Sequence, residues 1–399
     1  MTPKAKSIAL LVVAEMAAMS LWFVSAAILP DMAREGAISL DRQALLSSAV
    51  QAGFVVGALV VSISGVADRL DPRRVIVVCA IAAALANLTL LIHPLGGNAA
   101  IATRFVTGAL LAGVYPVGMK IAVGWGTRDR GLLVGTLVAA LTLGKSMPYL
   151  AAFAGGTEWR VTVVAISALA GIGGLLVLAT SLGPHHARAA NFRPRAIALA
   201  WTDTTIRRAY IGYLGHMWEL FAMWAWLSAA AAASFAFTME TIDAESLAKI
   251  TTFLAIALGA LACVAAGWFA DRIGKAEVTI IALFASGLAA VLTGLTFGGA
   301  PWLTVALMIV WGIAIIPDSA QFSAIVADSA PPELAGSLLT FQTALGFALT
   351  IVTVQIVPLG AELLGWPATL IILGIGPAVA IVAMWPLQRR VRRRSSLAR

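Results

Sequence analysis

Apolar runs of about 20 residues recur from one end of this chain to the other, and they restrict its fold more than any other feature. A helix of that length rises about 30 Å, which matches the hydrocarbon core of a bilayer. The runs fall at 7–29, 45–66, 75–92, 101–123, 132–153, 161–182, 210–235, 250–269, 278–297, 302–326, 337–359 and 366–387. Twelve spans are expected. Charged residues make up 12% of the chain, where a soluble domain carries about 25%, so a water-soluble fold is excluded. Strands of a membrane barrel would be about ten residues long with strict alternation, and no such pattern occurs.

The first run follows six residues in, where a signal peptide would lie. It holds Glu15 and no small-residue cleavage site, so a retained helix is expected. Cys79 and Cys263 both fall inside runs, which implies no disulfide framework. The net charge of +8 would suggest nucleic acid in a soluble protein. Here it follows from topology, because Lys and Arg gather in the loops after even-numbered spans and at both ends. The opposite loops hold Arg34, Arg42, Arg160 and Lys249. By the positive-inside rule both termini face the cytoplasm of an inner or plasma membrane. The basic tail 389–399 reads as an anchor at anionic lipid.

The chain repeats itself. Glu15, Met19 and Trp22 of the first span reappear as Glu219, Met223 and Trp226 of the seventh, 204 positions on. Asp68-Arg69 returns as Asp271-Arg272, Pro116 as Pro317, and Gly135 as Gly336, at nearly the same spacing. Two halves are therefore expected: 1–182 and 208–388, joined by a cytoplasmic linker at 183–207 rich in His, Arg, Asn and Pro.

The loop Gly267-Trp-Phe-Ala-Asp271-Arg272-Ile-Gly274-Lys275 resembles the major facilitator signature G-x-x-x-D-R-x-G-[RK]. Its first-half copy keeps Asp68-Arg69 and the basic pair Arg73-Arg74, but departs at both glycines and carries one extra residue. Arg104-Phe-Val-Thr-Gly108 is similar to the family's R-x-x-x-G. The resemblance covers essentially the whole chain. It implies an all-α membrane fold of twelve helices in two pseudo-symmetric six-helix bundles, which rock about a central cavity with a site near the midplane. It further implies that helices one, four, seven and ten line that cavity, that three, six, nine and twelve face lipid, and that Asp68, Arg69, Asp271 and Arg272 form gating loops.

An ionisable group in the bilayer core costs about 2.5 kcal/mol or more, so those retained there usually face a cavity or a partner. Glu15, Arg104, Lys120, Lys145, His216, Glu219 and Asp318 are the candidates, and all but Lys145 lie on the four helices named above. Counting about 1.5 Å per residue puts Glu15, Lys120, His216, Glu219 and Asp318 about 12–16 Å in from the cytoplasmic side, where they could form one cluster. Loss of water favours the neutral form of a carboxyl. Glu15, Glu219 and Asp318 can therefore carry protons, or else form static ion pairs with Lys120 or Lys145. Arg104 and Lys145 could hold an anionic substrate group or simply neutralise the acids. Lys120 also suits a snorkelling position near its helix end. His216 has no set of metal partners and reads as polar cavity lining. Met19, Trp22, Tyr115, Met223 and Trp226 could form an adaptable aromatic wall for substrate, or pack as core.

Gly135, Gly144, Pro148 and Gly155-Gly156 partly match the facilitator antiporter pattern in the fifth helix, which leans toward efflux. The reading is a proton-coupled secondary transporter of a small organic solute, acting as a monomer with no cofactor and no nucleic-acid partner. Uptake of an organic anion or zwitterion is the alternative direction. A membrane enzyme would need a nucleophile, base or metal set that the spans lack, and no phosphate-binding glycine motif signals an ATP-driven pump. A non-transporting receptor of the same fold stays open.

Overall fold

A computed structural model describes residues 2–36, 38–64, 69–94, 96–126, 130–185 and 197–397. Ten helical segments are long and apolar enough to cross a membrane. The longest, Leu334–Gln388, holds two spans that meet at Gly365, whose φ of 80° breaks the helix. The helix Thr204–Phe235 is the twelfth. It is long enough, but Arg207, Arg208, His216 and Glu219 lower its hydropathy. The spans expected from sequence are thus all helical, and most run a few residues further at each end.

Three spans are interrupted near their middles. The first comprises Pro3–Met19 and Val24–Glu35. Its turn begins where the Ser20 hydroxyl donates to Ala17 O at 2.5 Å, a side chain competing for the helix's own acceptors. The fourth comprises Asn98–Leu111 and Tyr115–Val123, and the tenth Pro301–Ile315 and Ser319–Ser329. Pro116 and Pro317, the repeat-equivalent prolines, sit at these two breaks because proline has no N–H to continue the ladder.

The two halves pack alike. The first span lies on the fifth and sixth, as the seventh lies on the eleventh and twelfth. The second crosses the fourth, as the eighth crosses the tenth. Both crossings rest on glycine. A Cβ at Gly108 would stand 2.0 Å from Val50 O, and one at Gly312 would stand 2.3 Å from Ala255 O. The R-x-x-x-G glycine is therefore a helix-contact position, as small residues commonly are in lipid. The halves meet along the fifth and eighth spans and along the second and eleventh. Val78, Ile172, Phe284 and Val382, on the third, sixth, ninth and twelfth spans, are exposed apolar residues suited to lipid.

Candidate functional site

Arg104 is fully buried in the first half and is engaged by the break in the first span. There the backbone tightens to Leu21 N→Ala18 O and Trp22 N→Met19 O bonds, leaving carbonyls without helical donors. Arg104 Nη2 donates to Leu21 O at 2.8 Å and Trp22 O at 2.7 Å, and Nη1 donates to Asn87 Oδ1 at 2.8 Å. Asn87 Nδ2 in turn donates to Ser167 Oγ at 2.9 Å. Neither role expected of Arg104 fits this geometry: among the described residues it contacts no carboxylate, and its fork is occupied by two backbone carbonyls and the Asn87 side chain. It positions the turn that carries Trp22.

The acids do not gather into one cluster. Glu15 is buried in the first half, its carboxyl packed against Gly118 so closely that a Cβ there would lie 2.1 Å from Oε1. Both its oxygens lack a hydrogen-bond donor, and among the described residues it forms no ion pair, so the expected pairing with Lys120 or Lys145 is not made. Tyr115, half-buried one turn before Gly118, stands between the halves in electrostatic reach of Glu15, Tyr213 and Cys263. Lys120 is half-buried near the end of Tyr115–Val123.

Glu219 points into its own bundle rather than toward the other half. It accepts from Trp311 Nε1 at 2.6 Å on the tenth span and from Ser286 Oγ at 3.1 Å on the ninth. One turn back, His216 Nδ1 lies 2.9 Å from Asp318 Oδ1, both buried, with the Phe322 and Tyr213 rings against the imidazole. Asp318 lies at the tenth-span break, in reach of Glu219 and Cys263. His216, Glu219 and Asp318 thus form one group in the second half, and Glu15 stands apart in the first.

Between the halves lies an aromatic cluster. Trp22 faces Phe54 at 4.9 Å, and Phe221 and Phe347 at 5.7 Å each, ring centre to ring centre. Lys145 Nζ sits 4.2 Å from the Trp22 ring centre, 4.4 Å from Phe221 and 5.1 Å from Trp224. One turn further along the fifth span, Tyr149 Oη donates to Trp224 O at 2.5 Å across the interface. Met19 and Met223 are buried core. Trp226 turns away from the interface, its Nε1 donating to Val354 O at 2.8 Å within the second half. The wall expected from repeat symmetry is therefore half present, in Trp22 without Trp226. Phe54, Phe221 and Phe347 complete it. Their positions follow no repeat, so sequence pattern gave no signal for them.

On the side away from the chain ends the halves are joined by charge. Lys249, buried at the eighth span, donates to Asp31 Oδ2 at 2.7 Å and to Gly156 O at 2.9 Å. Arg34 bonds both Asp31 and Glu245, and Gln355 Nε2 donates to Ser48 Oγ at 3.1 Å. On the side of the chain ends, several polar contacts of the described residues lie within one half. Arg73 reaches Thr180 O at 3.1 Å and Trp125 reaches Ser181 O at 3.0 Å in the first, and Lys275 pairs with Asp328 at 2.5 Å in the second.

The signature loops lie on that same side. Asp68 lies outside the described residues. Arg69 and Asp271 are exposed, and Arg272 lies over the Trp268 ring. Gly274 takes φ 107°, the backbone that favours glycine. Its counterpart Asp71 keeps φ −62° and caps the next helix through Arg73 N at 3.0 Å, which is how the first-half copy dispenses with the glycine. The Arg73 guanidinium beside Asp71 holds its carboxyl below the usual carboxylate range.

Comparison with known proteins bears on this arrangement. Sequence comparison with curated proteins gives no match. Solved structures with the same fold include a point mutant of the nucleoside transporter NupG, at 16% identity and a TM-score of 0.71, covering 95% of this chain and 99% of that one. The xylose transporter XylE from E. coli, in a partially occluded inward-open conformation, gives 11% identity and a TM-score of 0.73 over 96% of this chain and 99% of its own. At such identities they establish the fold alone. The model of the Major Facilitator Superfamily matches residues 10–353. With twelve helices in two like-packed halves and that match over most of its length, the chain belongs to the Major Facilitator Superfamily of secondary transporters.

Proposed function

We propose that this protein moves a small organic solute by alternating access, coupled to protons, with both termini and the 183–207 segment in the cytoplasm and the protein acting as a monomer. The observation that carries the coupling is Glu15: a carboxyl buried in the membrane with no donor and no cation among the described residues. An isolated buried carboxylate is costly, and the counter-charge available to Glu15 is a proton. In the second half Glu219 and the His216–Asp318 pair supply further exchangeable protons, held by Trp311 and Ser286 in a defined geometry. In this orientation the ionic closure around Asp31 and Lys249 is external, and the conformation faces inward. The fifth-span glycines favour efflux in exchange for protons. The Asp271-Arg272 loop then acts in the opposite, outward-facing state.

Proteoliposomes containing a pH dye test the coupling. Glu15→Gln keeps size and hydrogen bonding but cannot exchange a proton. It should abolish transport driven by a pH gradient while retaining substrate exchange at equal pH, and Glu219→Gln should do the same. If both variants accumulate substrate against a gradient as well as the parent protein does, the glutamates are structural and the coupling reading fails.

A further inference from the structure

Between the two halves a lysine is buried without an anion, so its ammonium form calls for one. Lys145 is 2% exposed, and among the described residues no hydrogen bond or ion pair reaches it. Its neighbours are the faces of Trp22, Phe221 and Trp224. Ring faces attract an ammonium and return part of what it loses on leaving water, but an anion would return more. Glu15, seven residues before Trp22 in the same span, turns to Gly118 instead.

The groups around the ammonium are also one-sided. Trp22 Nε1 and Trp224 Nε1 are both buried and have no acceptor. An indole N–H only donates, and so does an ammonium. Lys145, Trp22 and Trp224 therefore offer a set of donors with no acceptor among them. Beside them the Phe54, Phe221 and Phe347 rings pack together, with Phe54 and Phe347 at 4.9 Å and Phe221 and Phe347 at 5.2 Å. Phe347 is half-buried, so the cluster is not sealed there.

From this we infer the substrate class: a small organic monocarboxylate with an apolar body, its carboxylate against Lys145 and the Trp22 and Trp224 indole N–H groups, its body among the phenylalanines. The inference rests on the transporter reading above. One cation matches one negative charge, and a dianion would bring a second buried charge with no partner. A cationic substrate is repelled by Lys145, and the ammonium of a zwitterion finds no acceptor among these groups. Both halves contribute, Trp22, Phe54 and Lys145 from one and Phe221, Trp224 and Phe347 from the other. A ligand here would bridge the halves, as a transported solute must.

Titration of the purified protein tests this, read by tryptophan fluorescence and by thermal shift, since a ligand of the folded state raises its stability. The probes are benzoate, phenylacetate and octanoate as carboxylates with aromatic or alkyl bodies, benzamide as the neutral isostere and benzylamine as the cation. At least one carboxylate should bind saturably, tenfold or more tighter than benzamide and benzylamine. Lys145→Gln should erase that preference, and Lys145→Arg should restore it in part. Trp22→Phe and Trp224→Phe keep a ring but lose the N–H, and each should weaken the carboxylate by about tenfold to a hundredfold, the size of one hydrogen bond to a charged group. The inference is overturned if no carboxylate binds, or if folded Lys145→Gln protein binds the carboxylate as the parent does. Proton flux into dye-loaded proteoliposomes separates the two readings. Flux driven by benzylamine or benzamide but by no carboxylate sinks the anion and leaves the transporter. Saturable carboxylate binding with no flux from any probe sinks the transporter reading and leaves the anion site.

Discussion

The buried pair Asp31–Lys249 should hold the halves together on the side away from the chain ends, and its removal should open that side. Both residues are 2% exposed and lie on different halves. Removing one partner of a buried ion pair costs about 3–5 kcal/mol, because the other charge is left without compensation. The pair forms only when this side is closed, so that cost falls on the closed state. At about 1.4 kcal/mol per tenfold, the equilibrium should move about 10²- to several 10³-fold toward the open state. The two single variants should differ. Lys249→Met leaves Asp31 with Arg34, a second cation already bonded to it. Asp31→Asn leaves Lys249 with only the Gly156 carbonyl as a full-strength acceptor. Asp31→Asn should therefore open the protein more, and the double variant, which leaves no buried charge, less than Asp31→Asn alone. Ser48 reports the opening, being 1% exposed and an acceptor from Gln355 in the closed form. With Cys79 and Cys263 replaced by serine, a cysteine at position 48 should react with an impermeant maleimide at a rate proportional to the open fraction. Equal rates in the parent and both single variants would refute the argument and leave the closure to the aromatic cluster.

Three further outcomes are expected. Arg104→Gln, losing the bonds to Leu21 O and Trp22 O, should lower the detergent melting temperature, with each charge-assisted bond worth about 1.5–3 kcal/mol; a melt within a degree of the parent would show the helix break to be self-supporting. Asp271→Asn should cut transport while leaving ligand affinity near that of the parent, because the residue is exposed in this conformation and acts only in the opposite one; normal transport would remove the gating role. Single cysteines at Ser39 and Arg193 test orientation in intact cells: an impermeant thiol reagent should label position 39 and spare 193, and the reverse pattern would invert the topology.

The fold was legible in the sequence because its determinants are local. A run of apolar residues long enough to span lipid must close its own backbone hydrogen bonds, so it is a helix wherever it packs. The repeat, through Asp68/Asp271, Pro116/Pro317 and Glu15/Glu219, then identifies which helices are equivalent. Facing direction is not local, and there the repeat misleads. Glu15 and Glu219 occupy equivalent positions, yet the first span breaks at Ser20–Phe23 and the seventh runs unbroken from Thr204 to Phe235. The break turns Trp22 into the interface, while its partner Trp226 stays on the bundle side and bonds Val354. Glu219 likewise acquires Trp311 and Ser286, donors with no counterpart around Glu15.

This asymmetry bears on how the two halves can share the work. Glu219 has two neutral hydrogen-bond donors, Trp311 and Ser286, and a histidine–aspartate pair one turn away. The Glu15 carboxyl has Gly118 against it and Tyr115 within electrostatic reach, with no hydrogen-bond donor among the described residues. Tyr115 opens the second piece of the broken fourth span, within electrostatic reach of Tyr213 on the other half. Any motion that separates the halves moves Tyr115 relative to Tyr213. Glu219, enclosed by the ninth and tenth spans of its own bundle, travels with its donors. On the proton-coupled reading proposed above, both acids take part, with Glu15 beside the interface and Glu219 held within a unit that moves as a body. An even exchange of roles between the two acids, which repeat symmetry alone would suggest, does not fit a chain whose first span is broken and whose seventh is not.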